Sequence, residues 1–270
     1  MRKLGMVLAL VVAFAATPAL AVTDGEMDGN GHPQVGIMVA QDKKGDPLWR
    51  CSGTMIAPKV FLTAGHCTEA PAAKAEIWFD PYLQDAIDAG VSKYPDDGPY
   101  SGTTHTHPDY DPQAFWRYDL GVVILNKGVK GIRYGKLPKL DALDRLEKQK
   151  KKQNAWFTAV GFGLQAAFPL ASSWKDVADR YRMVSYPELI QINVPGSTGT
   201  QSLLLSNNAN TGGTCFGDSG GPNFIKDSLV IAGVTSFGKN GTCAGQGGVY
   251  RVDRADDLDW LYGEFGRLLR

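Results

Sequence analysis

Cys215-Phe216-Gly217-Asp218-Ser219-Gly220-Gly221-Pro222 places one serine among three glycines. Glycines let a backbone approach another chain closely and aim its N–H groups at it. A serine hydroxyl is a weak nucleophile alone and needs a base to take its proton. His66, in Thr63-Ala64-Gly65-His66-Cys67, is the best-placed base: it follows an apolar strand pattern and is pinned by the neighbouring cysteine. A third group must orient the imidazole and stabilise its charged form. Asp119 suits that role, as a lone acid opening the apolar run Leu120–Leu125. A carboxylate there is costly unless it is hydrogen-bonded.

Gly217-x-Ser219-x-Gly221 also fits the nucleophile elbow of α/β-hydrolases, where the acid and the histidine follow the serine. No histidine follows Ser219, which excludes that reading.

Outward from these motifs, short apolar or alternating runs dominate. Strands are expected at Val35–Ala40, Val60–Ala64, Ala75–Phe79, Leu120–Leu125, Trp156–Gly161, Leu203–Ser206, Leu229–Ser236 and Gly248–Val252. The 32 glycines and 15 prolines supply the turns between them. The pattern points to an all-β barrel or sandwich rather than a parallel α/β sheet, which needs a long helix between strands. Two stretches read as helical. Ala142–Lys152 is charged, and its lysines form a solvated face. Ala255–Leu269 places Leu258, Leu261, Tyr262, Phe265, Leu268 and Leu269 on one apolar face. The Gly-rich stretch from Gly196 to Gly213 is read as a loop region.

The 270 residues hold 28 Lys+Arg against 28 Asp+Glu. A chain that is 43% hydrophobic with no net charge is neither disordered nor a dedicated nucleic-acid binder. Residues 1–21 read as a secretory signal: Arg2 and Lys3, an apolar run from Leu4 to Ala16, then Ala19-Leu20-Ala21. The run is too short for a membrane span. Cleavage after Ala21 removes two basic residues and no acid, taking the net charge from 0 to −2. The mature domain is residues 22–270, with no membrane contact expected after signal removal.

All four cysteines lie in the mature part, and an exported chain oxidises them. Cys51–Cys67 and Cys215–Cys243 is the simplest of three connectivities. Each such loop is worth about 3 kcal/mol in the chain-entropy account. A metal site through the cysteines lacks the C-x-x-C spacing.

TAGHC, DLGVVIL and CFGDSGGP, in that order, resemble the chymotrypsin/trypsin-like serine endopeptidases across nearly the whole mature chain. The resemblance implies two six-stranded antiparallel β-barrels and a C-terminal helix, with the site between the barrels. It implies Ser219 as nucleophile, His66 as general base and acid, and Asp119 as the group that fixes its tautomer. The amides of Gly217 and Ser219 become the oxyanion hole, and Ser236 a hydrogen-bond partner of Asp119. Neither cofactor nor metal is implied; the partner is a protein or peptide substrate. His105, His107, Asp109 and Asp111 offer metal-ligand chemistry, but His107-Pro108-Asp109-Tyr110 matches a segment common in the family ahead of its aspartate. The alternative class is a catalytically silent relative serving as a binding module, although the triad and the oxyanion glycine are all retained.

Two finer expectations rest on the same resemblance. The family's Ile-Val-Gly-Gly start is missing, yet signal cleavage would expose Val22-Thr23-Asp24-Gly25, whose first and fourth residues fit. The Val22 amine would then pair with Asp218. The pocket position that holds an acid in Arg/Lys-cleaving members is Gly213 here, followed by Thr214. With Ser236, Phe237, Gly238 and Gly248 as walls, the implied preference is a bulky apolar residue before the scissile bond.

Overall fold

In the computed structural model the described residues are 22–149, 154–165 and 179–270. The expected leader, 1–21, lies outside them. The chain runs β1 (Glu26–Met27), β2 (Val35–Gln41), β3 (Pro47–Ala57), β4 (Val60–Thr63), β5 (Lys74–Trp78), β6 (Tyr100–Thr106) and β7 (Gly121–Leu125). It continues with β8 (Phe157–Gly161), β9 (Met183–Ser185), β10 (Leu189–Val194), β11 (Gly199–Asn207), β12 (Pro222–Ile225), β13 (Ile231–Gly238) and β14 (Gly245–Arg251).

Strands β2-β3-β4-β7-β6-β5 close into an antiparallel barrel. Apolar side chains such as Met55, Phe61, Ile77 and Val123 fill it, all fully buried. The second half is an eight-stranded sheet in the order β1-β9-β8-β12-β13-β14-β11-β10. It differs from a second six-stranded barrel in two ways. The N-terminal strand β1 is added to its edge through Glu26–Val184 and Met27–Met183. The approach to β10 meets β8 through the Trp156–Glu188 bridge and two backbone bonds, Leu189 N–H to the Ala155 carbonyl and Phe157 N–H to the Pro187 carbonyl, a short link where a full ladder would close the barrel. One apolar cluster runs through both halves, joining Ala64 and Leu120 to Val234 and Tyr250. That shared core fixes how the halves face each other.

A buried arginine joins the same parts. Arg182 Nε donates to Asp28 Oδ2 at 2.9 Å. Its Nη1 donates to the carbonyls of Val35 and Phe79, both at 3.0 Å, and its Nη2 to the carbonyl of Gly29. The N-terminal segment, the barrel and β9 therefore share one fully buried guanidinium. Removing one partner of a buried pair leaves the other uncompensated. Arg182→Met is expected to cost about 3–5 kcal/mol in chemical denaturation.

Two expectations change. The Ala142–Lys152 helix is replaced by a short 3-10 turn at Asp144–Leu146, and residues 150–153 lie outside the described part. Leu143 and Leu146 are buried there, and Asp144 accepts a 2.6 Å hydrogen bond from buried Arg251. Those tertiary ties override the helical composition. The C-terminal helix spans Ala255–Phe265 and buries Leu258, Leu261 and Phe265, but Tyr262 is 55% exposed. No helix among the described residues is long and apolar enough to cross a membrane.

Candidate active site

His66 sits on a 3-10 turn, Gly65–Cys67, directly after β4. Asp119 lies two residues before β7, which pairs with β4, so the barrel itself brings acid and imidazole together. Asp119 is fully buried. Its oxygens lie 3.0 and 3.1 Å from His66 Nδ1, and Oδ1 also accepts the His66 backbone N–H at 2.9 Å. From the other half, Ser236 Oγ donates to Oδ2 at 2.5 Å. Burial alone would lower the His66 pKa. The Asp119 charge and hydrogen bond, with a smaller contribution from Glu69, outweigh it and hold the imidazole above its ordinary value. Glu69 is itself raised, chiefly by burial, and shares a hydrogen bond with Tyr110.

Ser219 lines the same cleft as His66. Among the described residues its hydroxyl makes no hydrogen bond to the imidazole; such contacts are often loose without substrate and tighten in the complex. The flanking backbone is fixed more tightly. The Phe216 carbonyl accepts from Leu164 N–H at 2.9 Å, and the Asp218 carbonyl from Gly221 N–H at 2.8 Å. A peptide unit is planar and trans, so each carbonyl turned away sends the next N–H the opposite way. The Gly217 and Ser219 amides are those next groups, and among the described residues neither donates a hydrogen bond. Gly217 holds φ at +95°, a conformation that side chains disfavour. Ser52 on β3 completes the support: its amide donates to the Ser219 carbonyl and its hydroxyl to the Gly217 carbonyl.

The cysteines pair as Cys51–Cys67 and Cys215–Cys243. The potential metal-ligand group Cys51, His66 and Cys67 therefore has both sulfurs consumed. His107 is stacked on Tyr118 and set edge-on to Trp260, and His105 lies against Phe265. Burial lowers the pKa of both, as befits packed imidazoles.

Next to Ser219 is a hollow of about 280 Å³. Thr214, Ser236, Phe237 and Gly238 line it, with Cys215 and Cys243. Among the described residues, no lining residue is acidic. Gly213 and Gly248 stand behind the wall instead. Gly213 packs against Asn207 and bridges Thr23, and a Cβ on Gly248 would run into the Phe237 ring. Phe115 and Phe216 also line the hollow and were absent from the sequence-derived set. On the other side of Ser219 lies a larger cleft, about 780 Å³, containing His66 and Arg50.

The sequence model described as Trypsin matches residues 26–260. The chain belongs to the trypsin family. Among curated relatives, a collagenase of Hypoderma lineatum is 23% identical over 220 residues, covering 81% of this chain and 77% of that protein. A venom serine protease of Bombus ignitus is 24% identical over 228 residues, 76% of this chain and 56% of its own length. Ovochymase of Halocynthia roretzi is 23% identical over 217 residues, 78% of this chain, and the match spans only 13% of that larger protein. Of solved structures, an HL collagenase superposes with a TM-score of 0.67 at 21% identity, covering 90% of this chain and 97% of its own. Human heparin binding protein gives 0.62 at 17%, covering 89% and 95%. These structural likenesses are of fold.

In this trypsin-family chain Val22 is fully buried beside Met183. Thr23 Oγ1 donates to Asn207 Oδ1, and the Thr23 carbonyl accepts the Gly213 N–H. The N-terminal segment is thus docked behind the hollow. With Ala21 attached, the Val22 nitrogen is an amide. Asp218 accepts hydrogen bonds from Gly163 N–H at 2.8 Å and Cys215 N–H at 2.9 Å. Burial pushes its pKa up to about 7, against those two bonds and the charge of Arg50.

Proposed function

We propose that this trypsin-family chain is an exported serine endopeptidase. One observation carries the reading: the Asp119–His66 pair opens on the cleft of Ser219, whose flanking amides are fixed yet unpaired among the described residues. His66, with Nδ1–H held on Asp119, takes the Ser219 proton at Nε2 as Oγ attacks the scissile carbonyl. The Gly217 and Ser219 amides receive the oxyanion, a stabilisation worth about 10²–10³ in rate for one donor. His66 then protonates the departing amine, and water repeats the steps on the acyl-enzyme.

The hollow supports a bulky apolar residue before the scissile bond. Phe115, Phe216 and Phe237 give it apolar walls, and Thr214 and Ser236 offer hydroxyls but no charge. A lysine or arginine there would be buried without a partner, which costs several kcal/mol. The leader pattern at residues 1–21 supports export, and its removal after Ala21 would expose the Val22 amine for Asp218. The domain would then be residues 22–270, acting on a protein or peptide substrate.

The test compares the chain processed to Val22 with Ser219→Ala on peptides varied at the residue before the cleaved bond. Cleavage after Phe, Tyr or Leu is expected, with a loss of at least about 10³-fold in the variant. Cleavage after Arg or Lys would refute the neutral pocket and keep the peptidase. The second reading is a silent binding module. That reading gains if the folded, processed chain cleaves nothing.

A further inference from the structure

The larger cleft has a chemistry that acyl transfer leaves unused. Among the described residues its wall carries two arginines, Arg50 and Arg180, against one acid, Glu69. The arginines come from different elements, Arg50 from β3 and Arg180 from the segment just before β9. Arg180 is held in place: its backbone N–H donates to Gln84 Oε1 at 3.0 Å, and its guanidinium lies 5.4 Å from the centre of the Tyr94 ring. Its Nε is buried and, among the described residues, has no hydrogen-bond partner. A buried donor left unmade costs free energy that an incoming acceptor recovers. Arg50 Nη1 reaches the Phe162 carbonyl at 3.3 Å, and its charge also acts on Asp218.

We propose that the cleft is a subsite for a carboxylate side chain two or three residues beyond the scissile bond, selected by Arg180 with help from Arg50. The inference rests on the peptidase reading and adds a substrate class to it. Its direction follows from the chemistry. His66 hands its proton to the departing amine, so the leaving segment lies on the His66 side of Ser219. The cleft holds His66, while the hollow shares only Phe216 and Ser219 with it. The hollow therefore takes the acyl-side residue and the cleft takes the leaving segment. Glu69 sits beside His66, where its charge repels an acid at the first leaving position. An extended chain advances about 3.3 Å per residue, which carries the next side chains past Glu69 toward the arginines.

The experiment uses peptides with one fixed apolar residue before the bond and Glu, Gln or Lys at each of the three positions after it. On the chain processed to Val22, Glu is expected to beat Gln about five- to tenfold in kcat/KM at the second or third position, and not at the first. Arg180→Gln should bring that ratio close to one, and Arg180→Glu should turn the preference toward Lys. Equal cleavage of the Glu and Gln peptides, or a full ratio in Arg180→Gln, overturns the subsite and leaves the peptidase intact. Calorimetric titration of Ser219→Ala with the Glu and Gln peptides reads the same selection without turnover. If no peptide is cleaved, the peptidase reading falls, and this titration alone decides the subsite: tighter Glu binding that Arg180→Gln abolishes supports it, and equal binding overturns it.

Discussion

Asp119→Asn is expected to lower kcat by about 10⁴, the scale for losing the acid that holds the tautomer in this kind of triad. An amide nitrogen facing His66 Nδ1 would donate where the carboxylate accepts. The imidazole would then carry its proton on Nε2 and could not take one from Ser219. The carbonyl of the new side-chain amide can still accept from Ser236 Oγ or the His66 backbone N–H, which now donate to the two carboxylate oxygens. The protein should therefore fold, with unchanged far-UV circular dichroism and KM within a few-fold. The His66 pKa should drop, since the charge that outweighs its burial is gone. A variant within tenfold of the parent rate would remove Asp119 from the triad.

The second large effect concerns the chain start. A chain beginning at Val22 is expected to outpace one with an alanine placed before it by about 10²–10³-fold, the scale of losing one oxyanion donor. The reason is Asp218. It is buried, it accepts from two amides, and its pKa lies near 7 against an ordinary 3.8. With Ala21 attached, the folded state therefore binds a proton that the unfolded state releases. The associated stability is fully present below about pH 4 and is lost as pH rises to about 7. Each pKa unit is worth about 1.4 kcal/mol, so the total is on the order of 4 kcal/mol. Asp257, raised to about 8 mainly by burial, adds a slope of the same sign. Denaturation of the extended chain across pH 4–8 should show the decline, and Asp218→Asn should remove the Asp218 share. Freeing the Val22 amine should supply a cation that holds Asp218 ionised and abolishes that share too. Equal activity of the two chain starts would detach the N-terminus from Asp218.

The parts of the molecule legible in sequence are those whose meaning is local. Gly121–Leu125 declares a strand because its β-branched run has no other use, and β4 and β8 follow suit. The candidate catalytic groups are legible because each stands in a compact motif. β3 is not: Pro47 opens it, and Trp49-Arg50-Cys51-Ser52-Gly53 shows no alternation, since from Cys51 onward every residue is buried whichever face it points to. Leu189-Ile190-Gln191-Ile192-Asn193-Val194 does carry the alternation of β10, a signal absent from the strands expected above. Ser52, Leu164 and Gly163 hold Gly217, Phe216 and Asp218 across more than fifty residues, so no nearby pattern announces them. Phe115 also has a signal, as half of an aromatic pair with Trp116 in a polar loop.

The stitching of β1 onto β9 sets an order of assembly. Glu26 leaves the ribosome early, but its partner Val184 is made long afterwards, and Ser219 later still. Contacts so distant along the chain form slowly, because loop closure must come before they stabilise anything. The half that carries Ser219 cannot be finished until the first residues return to its edge. A chain halted before Val184 therefore leaves β1 without its partner and the half that carries Ser219 without its edge strand.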